Sequence, residues 1–176
     1  MTVREIAEKA CDIVGLNINM SVSGDEQTFL VDCTKHVLLR LSSELTDIKK
    51  KKTITVENGI ALYSDIDANY KRGIRLMKNG ESVKFDETSE GLVTDKDGEY
   101  ELTYAVYIKV TSAISTVNLQ PKYGVMMLAE GVAGEYCHRK GMYKECEEYD
   151  RRFVTALENT EKQTKTYTVK AVEYDV

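Results

Sequence analysis

The chain has 176 residues, 42% hydrophobic and 30% charged, with a formal net charge of -5. That length suits one domain, or one domain carrying an insertion, in an ordinary globular composition. The charge gives no electrostatic reason to expect nucleic acid as the main partner, no apolar run approaches the ~20 residues of a membrane-spanning helix, and the N-terminal stretch lacks the apolar core of a secretion signal.

The first predicted helix opens at Thr2, with Glu5 at capping-box spacing. Val3, Ile6, Ala7, Ala10, Ile13 and Val14 form its apolar face, and Gly15 is placed to end it. A loop follows. Ser23 and Glu26 repeat the capping pattern, and Phe29, Leu30, Cys33, Val37, Leu38, Leu41, Leu45 and Ile48 recur at helical spacing. The second helix is therefore expected from Asp25 to about Ile48. Lys49, Lys50, Lys51 and Lys52 would close it, where the helix dipole favours cations; a phosphate- or DNA-facing patch is the functional alternative.

From Thr53 the period shortens to two. "TITVENGIALY" alternates, "GIRLMKNGESVKF" predicts a hairpin turning at Asn79-Gly80, and "GLVTDKDGEYELTYAVYIKV" predicts a second turning at Asp97-Gly98. The run Leu102 to Val110 is apolar enough for a central strand. Residues 53–116 are read as an antiparallel β insertion.

Helical spacing returns after the single proline, Pro121, which suits a first helical position. Val125, Leu128, Ala129, Val132 and Tyr136 share a face. Gly131 and Gly134 weaken this helix but would let another approach closely. Gly141 breaks the chain, and a fourth helix with Cys146, Tyr149, Phe153 and Leu157 inward runs to about Asn159. Helix-hairpin packing is thus assigned to Gly131, Gly134, Tyr136, Gly141, Tyr149 and Phe153. The end, "KTYTVKAVEYDV", alternates and is expected to be extended, either added as a strand to a neighbouring subunit, or a strand of this chain's own sheet or a frayed terminus. Its interface candidates are Tyr167, Val169, Ala171, Val172, Tyr174 and Val176.

The expected fold is α+β: a four-helix core (residues 1–52 and 117–160), an antiparallel β insertion (53–116) between the second and third helices, and an extended C-terminal tail (161–176). Neither helix pair alone has enough apolar area to stand as a domain.

Glu135 and His138 have the Glu-x-x-His spacing of di-iron bundles, which need two such pairs. The other histidine, His36, follows Cys33 at that spacing and no glutamate. Cys33, His36, Cys137, His138 and Cys146 could be imagined around zinc, but no C-x-x-C or H-x-x-x-H pair anchors them. Cys33 and Cys146 fall on apolar stripes, where cysteine acts as a small hydrophobe. A cysteine–histidine nucleophile has only chance pairings behind it. No phosphate loop, nucleophile elbow or kinase signature is present. Asp65 and Asp67 lack the glycine and terminal glutamate of a calcium loop. No catalytic residue, metal ligand or cofactor is assigned.

The order of elements is similar to that of phage head-to-tail connector proteins, also called head completion or tail adaptor proteins. "TVREIAEKACDIVGL" resembles their opening helix, and "QPKYGVMMLAEGVAGEYCHRKGMYKECEEYDRRFVTAL" resembles their closing helix hairpin. The adaptors of short-tailed phages are similar in carrying a β insertion between the helix pairs. The resemblance spans about Thr2 to Leu157 and rests on helix patterns. It implies a non-enzymatic virion protein, assembled in the host cytoplasm and placed at the head–tail junction. Copies of itself, twelve in number, would form a ring joining the portal protein to tail or further neck proteins. DNA would pass through the lumen without sequence recognition, with Lys49, Lys50, Lys51 and Lys52 as candidate phosphate contacts. The 11 tyrosines support a different reading: a small-molecule or carbohydrate binding module built on the β block.

Overall fold

The computed structural model describes residues 1–17 and 24–173, with side chains to Lys162. The chain divides into two compact units, Met1–Leu38 with Val110–Val176, and Leu39–Lys109.

In the first unit, α1 (Val3–Val14) starts on a complete capping box. The Glu5 amide donates to Thr2 Oγ1 at 3.2 Å, and the Thr2 amide donates to Glu5 Oε2 at 2.7 Å. Gly15, at φ 70°, ends the helix in the left-handed conformation that its missing Cβ permits. Val3, Ile6, Ala7, Ala10 and Cys11 are buried. α2 (Asp25–Arg40) buries Leu30, Val31, Cys33, Thr34, Val37 and Leu38; the proposed cap Ser23 lies outside the described residues.

α4 (Val125–Arg139) and α5 (Tyr143–Glu173) form a hairpin, turning where Gly141 adopts φ 76°. α4 begins after Gly124, so Pro121 sits in the preceding turn rather than at a first helical position. That turn buries Tyr123, whose hydroxyl donates to Glu161 at 2.7 Å on α5. The closest helix pairings are α4 with α5 and α4 with α1. Gly131 lets α5 and α2 come close to α4: a Cβ there would lie 3.1 Å from the Phe153 ring and 3.0 Å from Val37 Cγ1. At Gly134 a Cβ would lie 3.3 Å from the Asp150 amide nitrogen.

The second unit begins with a π-helical turn, Leu41–Leu45. Strands β1 (Ile48–Val56), β3 (Tyr70–Lys78), β4 (Glu81–Val83) and β7 (Gly98–Val106) form an antiparallel sheet in the order β1-β7-β3-β4. β7 is interior, with Tyr100, Leu102, Tyr104, Ala105 and Val106 buried. β2 (Ile60–Leu62), β5 (Asp86–Glu87) and β6 (Gly91–Val93) form a second sheet in the order β2-β6-β5. A short helix, α3 (Tyr63–Ile66), follows β2. Asn79 and Gly80, at φ 53° and 84°, make the predicted hairpin turn between β3 and β4. Asn58 and Gly59, at φ 53° and 81°, make another that the strand pattern alone had not marked.

The fold is thus α+β, but not a four-helix core with one antiparallel insertion and an extended tail. It has five α-helices and two antiparallel sheets among the described residues. Three local causes account for the difference. The α-helical run stops at Arg40, and Lys49 to Lys52 belong to edge strand β1 rather than to a helix end. Asp97-Gly98 does not close a hairpin, because β6 pairs with β2 and β5 while β7 pairs with β1 and β3. Asp97 instead accepts from the Asn58 and Gly59 amides at 3.1 and 2.7 Å, holding that turn. The C-terminal stretch continues α5 as helix through Glu173.

Candidate functional site

The stretch from Glu135 to Cys146 forms the end of α4, the Gly141 turn and the first turn of α5. Glu135 accepts from Arg139 on its own helix, and its carboxylate lies 3.1 Å from His36 Nδ1 of α2. His138 is exposed, and its ring meets Tyr143 edge-on at 6.2 Å. Among the described residues, no three His, Cys, Asp or Glu side chains are grouped to hold a metal.

The cysteines are free thiols. Cys11, Cys33 and Cys137 are buried and Cys146 is half-buried. Burial pushes the Cys11 and Cys137 thiols up, and pushes Cys33 up to about 11. Thiolate is the reactive form, so these three are poor nucleophiles near neutral pH.

The hairpin candidates are distributed as follows. Gly131, Gly134 and Tyr136 lie on the buried part of α4, and Phe153 is fully buried on α5. The Tyr136 hydroxyl donates to Glu26 at 2.7 Å, and Lys140 reaches the same carboxylate at 3.2 Å. These two contacts hold Glu26 below its usual range. Tyr149 donates to the Ile13 carbonyl at 3.3 Å, tying α5 to the end of α1. Tyr167, Val169, Ala171 and Val172 occupy the last turns of α5, while Tyr174 and Val176 lie outside the described residues.

The lysine quartet is split by the strand it forms, since successive residues face opposite ways. Lys50 pairs with Asp67 at 2.8 Å. Lys52 donates to the Asp65 and Ile66 carbonyls at 2.5 and 2.9 Å. Both are spent on α3 and its C-terminal end. Lys49 and Lys51 have the opposite parity and lie on the exposed side of the sheet.

A second group assembles inside the β unit. Tyr63 of α3 stacks on Tyr70 of β3 at 4.6 Å and 27°, and Tyr70 stacks on Tyr104 of β7 at 5.8 Å and 21°. β3 carries register shifts between Tyr70 and Arg72 and between Gly73 and Arg75. Such bulges re-aim side chains. At Gly73 a Cβ would lie 2.6 Å from the Phe85 ring, so the glycine makes room for Phe85 beside Tyr70. Glu87 accepts from the Gly73 amide at 2.6 Å and from the Tyr70 hydroxyl. Tyr63 donates to the Thr88 carbonyl at 3.0 Å.

The electrostatics of this group are settled by its neighbours. Burial, then Glu87, raises the Tyr63 and Tyr70 phenols. Burial and Asp67 push Tyr104 up to about 12. Burial opposes ionisation of Asp67, but Lys50, the Asn69 amide and Tyr104 outweigh it and hold its carboxyl below the usual range. The phenols therefore stay neutral and Asp67 stays ionised at physiological pH. Composition pointed to tyrosines on β surfaces in general. Tyr63 and Tyr104 are 41 residues apart; the bulged β3–β7 pairing brings Tyr70 to Tyr104, and α3 lays Tyr63 on Tyr70.

No protein-family model matches this sequence, and no curated protein matches it at a significant level. Among the described residues, no helix is long and apolar enough to cross a membrane.

Proposed function

We propose that this chain is a structural connector of a phage virion, forming a ring between portal and tail through which DNA passes. The observation that carries the reading is the tip of the α4–α5 hairpin. Met142 and Tyr143 stand there at 41% and 66% exposure, next to each other and beyond the packed part of both helices. Adjacent apolar side chains at a projecting turn suit contact with another protein surface. A head-to-tail contact of that kind closes into a ring when the rotation between copies is right.

One further feature supports it. The hairpin has the apolar, glycine-bearing first helix and the acidic, aromatic second helix on which the resemblance rests.

Sedimentation of the purified chain, alone and with a phage portal protein, tests the reading. The expected result is a species of many copies in at least one condition, lost in Tyr143→Asp. A chain that stays monomeric in both, with no association to the portal, would sink it.

A further inference from the structure

The β unit contains a cleft of about 550 Å³, lined by Tyr63, Ser64, Asp67, Ala68, Tyr70, Lys71, Glu87 and Tyr107. We infer that this cleft is a binding site for a neutral saccharide, with a sugar ring laid against tyrosine and its hydroxyls shared between the carboxylates and the donors around it. The inference does not rest on the connector reading, which concerns the helical unit.

Size comes first. The volume falls within the roughly 300–1,000 Å³ of small-ligand sites. The walls combine aromatic rings with a few convergent polar groups, as such sites do. Tyr63 is the outermost ring of a stack whose innermost member, Tyr104, is 3% exposed. A ring face is apolar and flat while its hydroxyl edge is polar, which matches the C–H face and hydroxyl rim of a pyranose.

The polar groups decide the ligand class. Acceptors are Asp67, Glu87 and the Ser64 hydroxyl, which itself donates to Asp65 at 3.2 Å; donors are Lys71 Nζ and the Tyr107 hydroxyl. An organic cation would use ring faces and acceptors, but Lys71 Nζ, 6.0 Å from the Tyr107 ring centroid, would repel it. An anion would be repelled by the two carboxylates. A neutral polyol uses both donors and acceptors and meets neither objection.

The site is also held in place. Glu87 is fixed by the Gly73 amide and Tyr70, Asp67 by Lys50, the Asn69 amide and Tyr104, and Lys71 by the Ser42 carbonyl at 2.8 Å and Asp47 at 3.3 Å. Side chains positioned by such contacts cost little to order when a ligand arrives.

Saturation-transfer NMR on the full chain tests this with three probes: maltotriose, the N-acetylglucosamine trimer and tetramethylammonium. The expected result is transfer to at least one sugar, with tetramethylammonium failing to compete. Tyr107→Ala and Glu87→Gln should each weaken binding about tenfold, the loss of one good contact. Ser64→Ala, an exposed change that leaves the tyrosine stack intact, should weaken it by a smaller factor while the unfolding temperature stays unchanged. No transfer to either sugar, transfer untouched by all three substitutions, or displacement by tetramethylammonium would overturn the assignment. A connector that forms rings without binding sugar, or a sugar binder that never forms rings, separates this inference from the functional proposal.

Discussion

His36 and Glu135, 99 positions apart in sequence, meet at 3.1 Å between the imidazole Nδ1 and a carboxylate oxygen. The spacing that drew attention to Glu135 was its distance of three from His138. In the fold the carboxylate turns to the other histidine instead, and to Arg139. The motif's geometry is used for packing α2 against α4.

Substitution of these three residues should rank accordingly. His138→Ala removes an exposed ring and should change stability by no more than about 0.5 kcal/mol. Glu135→Ala removes a largely buried carboxylate that serves two partners and should cost about 1–2 kcal/mol. Urea unfolding monitored by circular dichroism measures both. The reverse order would show that His138 has a role the contacts do not reveal.

Gly131→Ala sets two effects against each other. Helix propensity favours alanine by about 1 kcal/mol. The added Cβ would press on Val37 and Phe153 at 3.0–3.2 Å, and overpacking costs about 1–3 kcal/mol. The expected outcome is net destabilisation, with Gly131→Leu far worse. A stabilised Gly131→Ala would mean that Phe153 can shift freely.

Gly91→Ala is the sharper test in the β unit. Its Cβ would lie 2.2 Å from the Ala61 carbonyl oxygen, which is backbone inside the β2–β6 pair and cannot swing away. The cost should be about 3 kcal/mol or more, read as a lower thermal midpoint. A variant as stable as the wild type would contradict the β2–β6 register.

Acid stability follows from Asp47 and Asp67. Burial raises both, but the lysine and arginine contacts outweigh it, so each has a folded value below its ordinary one. A depressed carboxyl contributes stability that is complete above its unfolded value of about 4 and is lost as pH falls through the folded value. Lys50→Met should shrink that loss on the Asp67 side, so the two proteins should converge in stability below about pH 3. Unfolding curves between pH 7 and 2.5 check this.

Removing Thr166 to Val176 should shorten α5 without unfolding either unit, because the Tyr123–Glu161 contact lies before the cut. Circular dichroism should show less helix and an unchanged cooperative transition. Under the connector proposal, the truncated chain should assemble poorly. Loss of cooperativity would place these residues in the core.

Local signals were legible where the physics is local. Thr2 and Glu5 cap α1 because both partners lie within one turn. Asn79-Gly80 turns because both residues tolerate positive φ. The run expected as a central strand over Leu102–Val110 is interior only as far as Val106, because β7 runs Gly98–Val106. Tyr100, Leu102 and Tyr104 supply its buried face, while Glu99 and Glu101 on the other face are exposed. Where local signals competed, the sequence alone could not choose. Leu41, Leu45 and Ile48 keep helical spacing, yet the lysines after Ile48 join an edge strand once β7 supplies a partner. Alternation in "KTYTVKAVEYDV" suggests a strand, but residues 165–173 continue a helix already nucleated at Tyr143, and propagation is easier than starting anew.

Local chemistry sets the α+β class, the capped first helix, the glycine turn of the α4–α5 hairpin and the tyrosine-rich composition. Tertiary structure decided which strands pair, which lysines are spent on α3, which histidine Glu135 meets, and that Tyr63, Tyr70 and Tyr104 stack. The reason is reach: capping and turn chemistry act within a few residues, whereas a strand's partner and a side chain's neighbour depend on segments brought together only by the buried core.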